Sequence, residues 1–295
     1  MINHKSIKYF EKVILTVISF FKSLYHKNNL RILVFHNIDK KNYKIFYNYL
    51  LSLKKEWNFI TPYQFENHVN NKKKLNGKNL LITFDDGFKS NFYVEKEILS
   101  KLKIKCIFFV PTEFIKIKSL KKSKEFISRN ILDNYNSKKS LDRNMTVNNL
   151  KSLLDKGHII GSHTKTHANL GSISDNKKLK NEIIESANDL KKLLNVNINH
   201  FAFTYGNYES MSNESLKMTF FKYKFVYSCL RGDNFYNKKG SIIKRDAVYL
   251  DSGIDLVKIF LSGLIDVKYF IHEKLINNKI PKYKLLNASK KSYRL

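Results

Sequence analysis

Strand-like and helix-like segments alternate along this 295-residue chain so regularly that few architectures can accommodate it. Arg31–Ile38, the run Leu81 to Phe84, Lys105–Val110, His158–Thr164, Ile198–Gly206, Phe225–Leu230 and Ile242–Val248 read as strands, being mostly apolar and β-favouring. Between them lie helical stretches at 43–55, from Pro62 onward, 93–102, 146–156, 175–194 and 212–221. Pro62 suits a first helical position, Thr146 an N-cap, Gly157 a helix stop and Pro111 a strand stop. Strands joined by crossover helices run parallel, so the spacing predicts an α/β fold, either a barrel or an open sheet. Both gather reactive groups at the carboxyl ends of the strands. Residues 115–145, rich in lysine and serine with little periodicity, read as an insertion or mobile loop, and 255–276 as one apolar helix. That helix is expected to cover the fold's flank, form an oligomer contact or touch lipid.

The length suits one large domain better than two small ones. Lys and Arg number 54 against 25 Asp and Glu, a formal charge of +29. Such a balance points to an anionic partner such as a membrane surface, nucleic acid or acidic glycan. Its plain counterpart is a solvated lysine surface following overall composition. Nucleic acid is not expected, because no recognised nucleic-acid motif accompanies the lysines. Residues 13–21, VILTVISFF, are too short to span a bilayer and lack a following small-x-small cleavage site. Residues 1–30 are therefore expected to form an N-terminal amphipathic helix, on a membrane or packed on the domain. The two cysteines, Cys106 and Cys229, give no C-x-x-C pair and no disulfide scaffold; Cys106 reads as a small core residue.

One strand ends in TFDDG, placing Asp85 and Asp86 side by side after an apolar run. Adjacent carboxylates repel and are costly to desolvate, and a bound cation is the simplest compensation. A second strand end carries SHTKTH, with His163 and His167 four apart, the spacing that aligns two imidazoles on one helical turn. With Asp86 they make two nitrogens and one carboxylate, a ligand set that leaves positions open. Because neighbouring residues on an extended chain face opposite ways, Asp85 is left free to act as a general base.

TFDDG, SHTKTH and the later FAFTYG, in this order, resemble the first three motifs of the polysaccharide deacetylases, the NodB-homology or carbohydrate esterase family 4 domain. The resemblance spans about residues 31–250. It implies a distorted (β/α) barrel, Asp85 as catalytic base, and Asp86, His163 and His167 as ligands of a divalent metal, Zn2+ being the one expected. It also implies that the backbone N–H of Tyr205 stabilises an oxyanion, with Gly206 allowing close approach of a ligand. Thr204 stands where the family usually has proline, so the loop forgoes a fixed φ. The late Leu-x-His motif that supplies the general acid is missing, and His272 in the tail is a poor substitute. Upstream, LVFHN resembles the first strand of the subgroup acting on exopolysaccharides and lipid-linked surface glycans, which nominates His36 as the acid or as a structural histidine. Arg245 sits where that subgroup has an arginine; it either orients Asp85 or forms a plain surface ion pair.

The implied activity is metal-dependent hydrolysis of N-acetyl groups on sugars of a surface polysaccharide or lipid-linked glycan. The alternatives are an O-acetyl esterase or deformylase on a glycan and a non-catalytic glycan-binding homologue. Residues 31–250 are expected to form the catalytic domain and 251–295 a helical tail. The expected location is cytoplasmic or peripheral at the membrane, with export left open.

Overall fold

A computed structural model describes residues 28–132, 143–237 and 239–279. The expected N-terminal helix over 1–30 falls almost wholly outside these residues. Among the described residues there are eight parallel strands: β1 (Asn29–Phe35), β2 (Asn58–Phe59), β3 (Lys78–Phe84), β4 (Cys106–Val110), β5 (Ile159–Ser162), β6 (His200–Ala202), β7 (Phe225–Tyr227) and β8 (Asp246–Ala247). Their order is β7-β6-β5-β4-β3-β1-β8, with β2 added beside β3. The expected final strand over 242–248 is reduced to fragments, yet these close the ring. Ile243 bridges Tyr227 of β7, and Asp246 pairs with Leu33 of β1. The sheet is thus the distorted (β/α) barrel, not the open alternative.

Alternation along the strands sorts the core into two layers. Leu30, Ile32, Leu81, Ile107, Phe109, Ala202, Tyr227 and Ile243 fill the barrel, and the helix Pro62–Val69 stoppers it with Phe65 and Val69. The other strand faces, such as Leu33, Ile82 and Phe108, pack under the surrounding helices. Local signals behave as read from sequence. Thr61 caps the Pro62 helix through a capping box with Gln64, and Thr146 caps Val147–Asp155 through one with Asn149. Cys106 is fully buried.

Two expectations are corrected. Residues 115–132 are not a mobile loop: they contribute to the helices Thr112–Lys116 and Leu120–Phe126 and to a π-helical turn, Ile127–Ile131. Phe114, Ile127 and Phe88 bury one another in a small satellite core, which the lysine-rich composition disguises. The tail is not one helix over 255–276 but two, Gly253–Leu261 and Phe270–Lys279, separated at Gly263, whose φ is +77°. No helix among the described residues is long and apolar enough to cross a membrane.

Candidate metal centre and catalytic rim

β3 delivers Asp85 by simple strand alternation, since Leu81 faces the barrel interior and Thr83 and Asp85 follow at the same two-residue spacing. Its N–H donates to Phe35 O at 2.9 Å, extending the β1–β3 ladder by one step. Arg245, fully buried, grips the carboxylate with both prongs: Nη1 donates to Oδ1 at 2.7 Å and Nη2 to Oδ2 at 2.8 Å. Nε of Arg245 donates to Ser228 O at 3.0 Å, fixing the fork. The surface ion pair considered for Arg245 is therefore excluded by its burial. Burial alone would discourage ionisation of Asp85, but Arg245, with His163 and His36 behind it, holds its pKa below the ordinary carboxylate value.

Asp86 leaves the strand altogether. Its φ is +71°, so the chain turns in the left-handed region and directs the second carboxylate beside the first, not away from it. The strand-alternation argument that pointed the two aspartates apart fails here; the turn at Asp86 and Gly87 sets the direction of the second carboxylate. Oδ1 of Asp86 lies 3.5 Å from Nε2 of His163 and 3.2 Å from Nε2 of His167. The histidine pair is likewise not on a helical turn. Thr164 and His167 both have left-handed φ, +64° and +65°, so an irregular loop curls the two rings together with centroids 5.1 Å apart.

Residues distant in sequence brace that loop. Glu182 accepts from the N–H of Lys165 and of Thr166 and from Thr166 Oγ1, each at 2.9 Å. Ser186 Oγ donates to Thr164 O at 2.9 Å. Thr204, fully buried, donates its hydroxyl to Ala168 O. Threonine in place of proline therefore ties the third motif to the histidine loop, contrary to the loosening expected of it. Gly206 is also reassigned: with φ +64°, a Cβ there would meet the backbone nitrogen of Cys229 at 2.5 Å, so the close approach is to protein.

The ring tautomers show whether a cation fits. Nδ1 of His163 lies 2.8 Å from Ala202 O, and Nδ1 of His167 lies 2.6 Å from Asn130 O. A carbonyl only accepts, so each Nδ1 carries the proton, and in the neutral rings both Nε2 lone pairs face the Asp86 carboxylate. Lone pair against lone pair is repulsive unless a proton or a metal ion lies between them. The three donor atoms lie within 4.8 Å of one another, and ligands about 2.1 Å from a tetrahedral ion would sit about 3.4 Å apart. Burial disfavours a charged His167, but Asp86 outweighs burial and raises its pKa; the same imidazoles hold Asp86 well below the carboxylate norm against its own desolvation. The buried Asp86, His163 and His167 can hold a divalent metal.

His36 follows β1 at the same rim, half-buried and close enough to act electrostatically on both Asp85 and Asp86. Tyr205 is at the rim too, with φ +61°, its ring 57% exposed and edge-on to His167 at 5.7 Å. Asn130, Glu182 and Ser186 escaped the sequence reading because they lie in helices with no motif. His68, His158 and His200, which belong to no motif, are bonded into the structure elsewhere, His200 for example between Tyr227 and Glu66.

The model of the polysaccharide deacetylase domain matches residues 72–223, just over half of the chain. The chain belongs to the polysaccharide deacetylase family. It is accordingly an enzyme, a hydrolase of the deacetylase class. Among solved structures it is similar to IcaB from Ammonifex degensii, with a TM-score of 0.61 at 19% identity over 80% of this chain and 100% of that one. The Streptococcus pyogenes deacetylase PplD, solved in complex with acetate, gives 0.60 at 19% identity over 80% and 99%. A de-N-acetylase from Aggregatibacter actinomycetemcomitans gives 0.60 at 12% over 80% and 100%. These likenesses establish the deacetylase barrel. No curated protein matches the chain.

Proposed function

We propose that this protein is a metal-dependent N-deacetylase acting on sugars of a surface polysaccharide or lipid-linked glycan, with residues 31–250 as its catalytic domain. The observation that carries the reading is the pair of Nε2 lone pairs converging on Asp86 beside a separately held Asp85. Asp86, His163 and His167 would hold the ion, Zn2+ suiting a set of two nitrogens and one carboxylate. A divalent cation there supplies Lewis acidity, polarising the acetyl carbonyl and acidifying water.

The chain's own residues do the rest. Asp85, kept ionised by Arg245, accepts a proton from the attacking water; because the same pairing makes it a weak base, it suits a water already acidified. Arg245 acts through Asp85 by fixing its orientation. The backbone N–H of Tyr205 donates to the oxyanion, and His36 returns a proton to the departing nitrogen. The carbonyl carbon gains the water oxygen and loses the sugar nitrogen, leaving acetate and an amine. A charge of +29 also suits peripheral association with an anionic membrane surface.

Acetate release from N-acetylated and O-acetylated oligosaccharides tests the reading. Release from the amides, abolished by a chelator and restored by Zn2+, is the expected result. Release from the esters alone would assign the site to an esterase.

A further inference from the structure

The helix Phe270–Lys279, entered through a 3-10 turn over Asp266–Tyr269, is anchored on one side by the fully buried Ile276. On that side His272 stacks on Tyr208, centroids 5.4 Å apart, and Glu273 accepts from Lys244 at 2.9 Å. At 3.6 residues per turn the opposite side of the helix carries Phe270, Ile271 and Leu275, and Val267 in the preceding 3-10 turn is exposed as well. In that order they are 62%, 67%, 42% and 75% exposed. The spacing of Phe270, Ile271 and Leu275 makes one apolar stripe, with Val267 exposed just before it, on the side where a surface helix ordinarily carries polar residues.

Charge decides what the stripe can meet. Lys268 and Lys274 are exposed on and beside it, whereas Asp266 and Glu273, the acids of this segment, turn inward to Arg31 and Lys244. A second copy would set cation against cation. An anionic bilayer satisfies both features, headgroups taking the lysines while the stripe enters the acyl boundary. We infer that the outward face of residues 267–275 is a docking surface for an anionic lipid bilayer, an inference that rests on the peripheral-membrane reading above. Lys279 lies over the Tyr208 ring, 4.1 Å from its centroid, so the helix ends beside the loop that follows the third motif. A glycan presented on a lipid is the substrate class that such an arrangement favours.

The test uses the full chain and flotation on phosphatidylcholine vesicles with and without phosphatidylglycerol. Wild type should float with the anionic vesicles, and the doubly substituted Phe270→Ser, Ile271→Ser protein should partition roughly tenfold more weakly. Acetate release from a soluble oligosaccharide should be the same for both. In Phe270→Trp, fluorescence should shift to the blue and be quenched by brominated lipid, against the constant background of Trp57, which is 7% exposed. Undiminished flotation of the double variant, or an unquenched tryptophan on floating protein, overturns the docking face while leaving membrane association intact. Failure of wild type to float overturns both. A change in sedimentation without a change in flotation assigns the face to a second copy and overturns the lipid reading.

Discussion

Asp85 and Asp86 are chemically identical neighbours that the surrounding chain sets to different tasks. One lies in a guanidinium fork and the other faces two imidazole nitrogens. Asp85→Asn keeps the shape and removes the proton acceptor. Turnover should fall by about 10²- to 10⁴-fold with the metal content per chain unchanged. Loss of metal along with activity would move Asp85 into the ligand set. Arg245→Lys keeps the charge but loses the two-pronged grip, so kcat should drop about tenfold or more while KM shifts far less. Equal changes in both constants would argue for substrate contact. These residue identities were legible because carboxylates and imidazoles at strand ends have few structural uses. Their directions were not legible, since the left-handed turn at Asp86 depends on what packs around it.

Among the helical elements, π-helical turns recur where the structure needs a side chain or carbonyl displaced from the regular register. Asn130 lies in the turn Ile127–Ile131 and Glu182 in Asn181–Glu185, and both turns hold the SHTKTH loop. Glu182→Gln retains one acceptor oxygen but loses the charge that strengthens its bonds to the loop N–H groups. Metal affinity should fall by roughly tenfold, and stability by about 1 to 2 kcal/mol. Titration with Zn2+ and urea unfolding separate the two; an affinity equal to wild type would mean that the loop holds its shape unaided. Periodicity identified these helices but not the π turns, because a single inserted residue scarcely changes an apolar pattern. Composition likewise hid the 115–132 helices, whose few buried residues are scattered among lysines.

At the scale of the molecule, closure of the ring and attachment of the tail share one group. Arg31 of β1 is fully buried, binds Asp246 of β8 through Nε and Nη2 at 2.9 and 2.7 Å, and reaches Asp266 at 2.7 Å and Phe260 O at 2.8 Å. Arg31→Met leaves Asp246 buried without its hydrogen-bonded partner and with only the more distant Arg231, at 3.6 Å, so unfolding free energy should fall by about 3 kcal/mol. A urea midpoint close to wild type would show that the closure does not depend on this ion pair. His158 makes stability depend on pH. Its Nδ1 accepts from Cys106 N–H at 3.0 Å, and burial pushes its pKa down to about 4 despite Glu95 nearby. The unfolded chain therefore takes up a proton near pH 6.5 that the folded one refuses until about 4. The neutral ring's contribution is complete above about 6.5 and is lost as pH falls toward 4, on the order of 3 kcal/mol in all. His158→Gln should flatten the urea midpoint between pH 7 and 4.5 relative to wild type, and parallel curves would exclude the effect.

Readable along the chain alone were the parallel α/β order, the helix start at Pro62, the cap at Thr146, and the two carboxylates and two imidazoles at two strand ends. These rest on local backbone preference and on residue chemistry, which travel with the chain whatever its partners. Packing in three dimensions was needed to show that residues 243–247 close a barrel, that Arg245 and Asp85 are one buried unit, and that Asn130, Glu182 and Thr204 hold the histidine loop. Those contacts join positions tens to hundreds of residues apart, where burial and hydrogen-bond geometry, rather than anything local, select the partner.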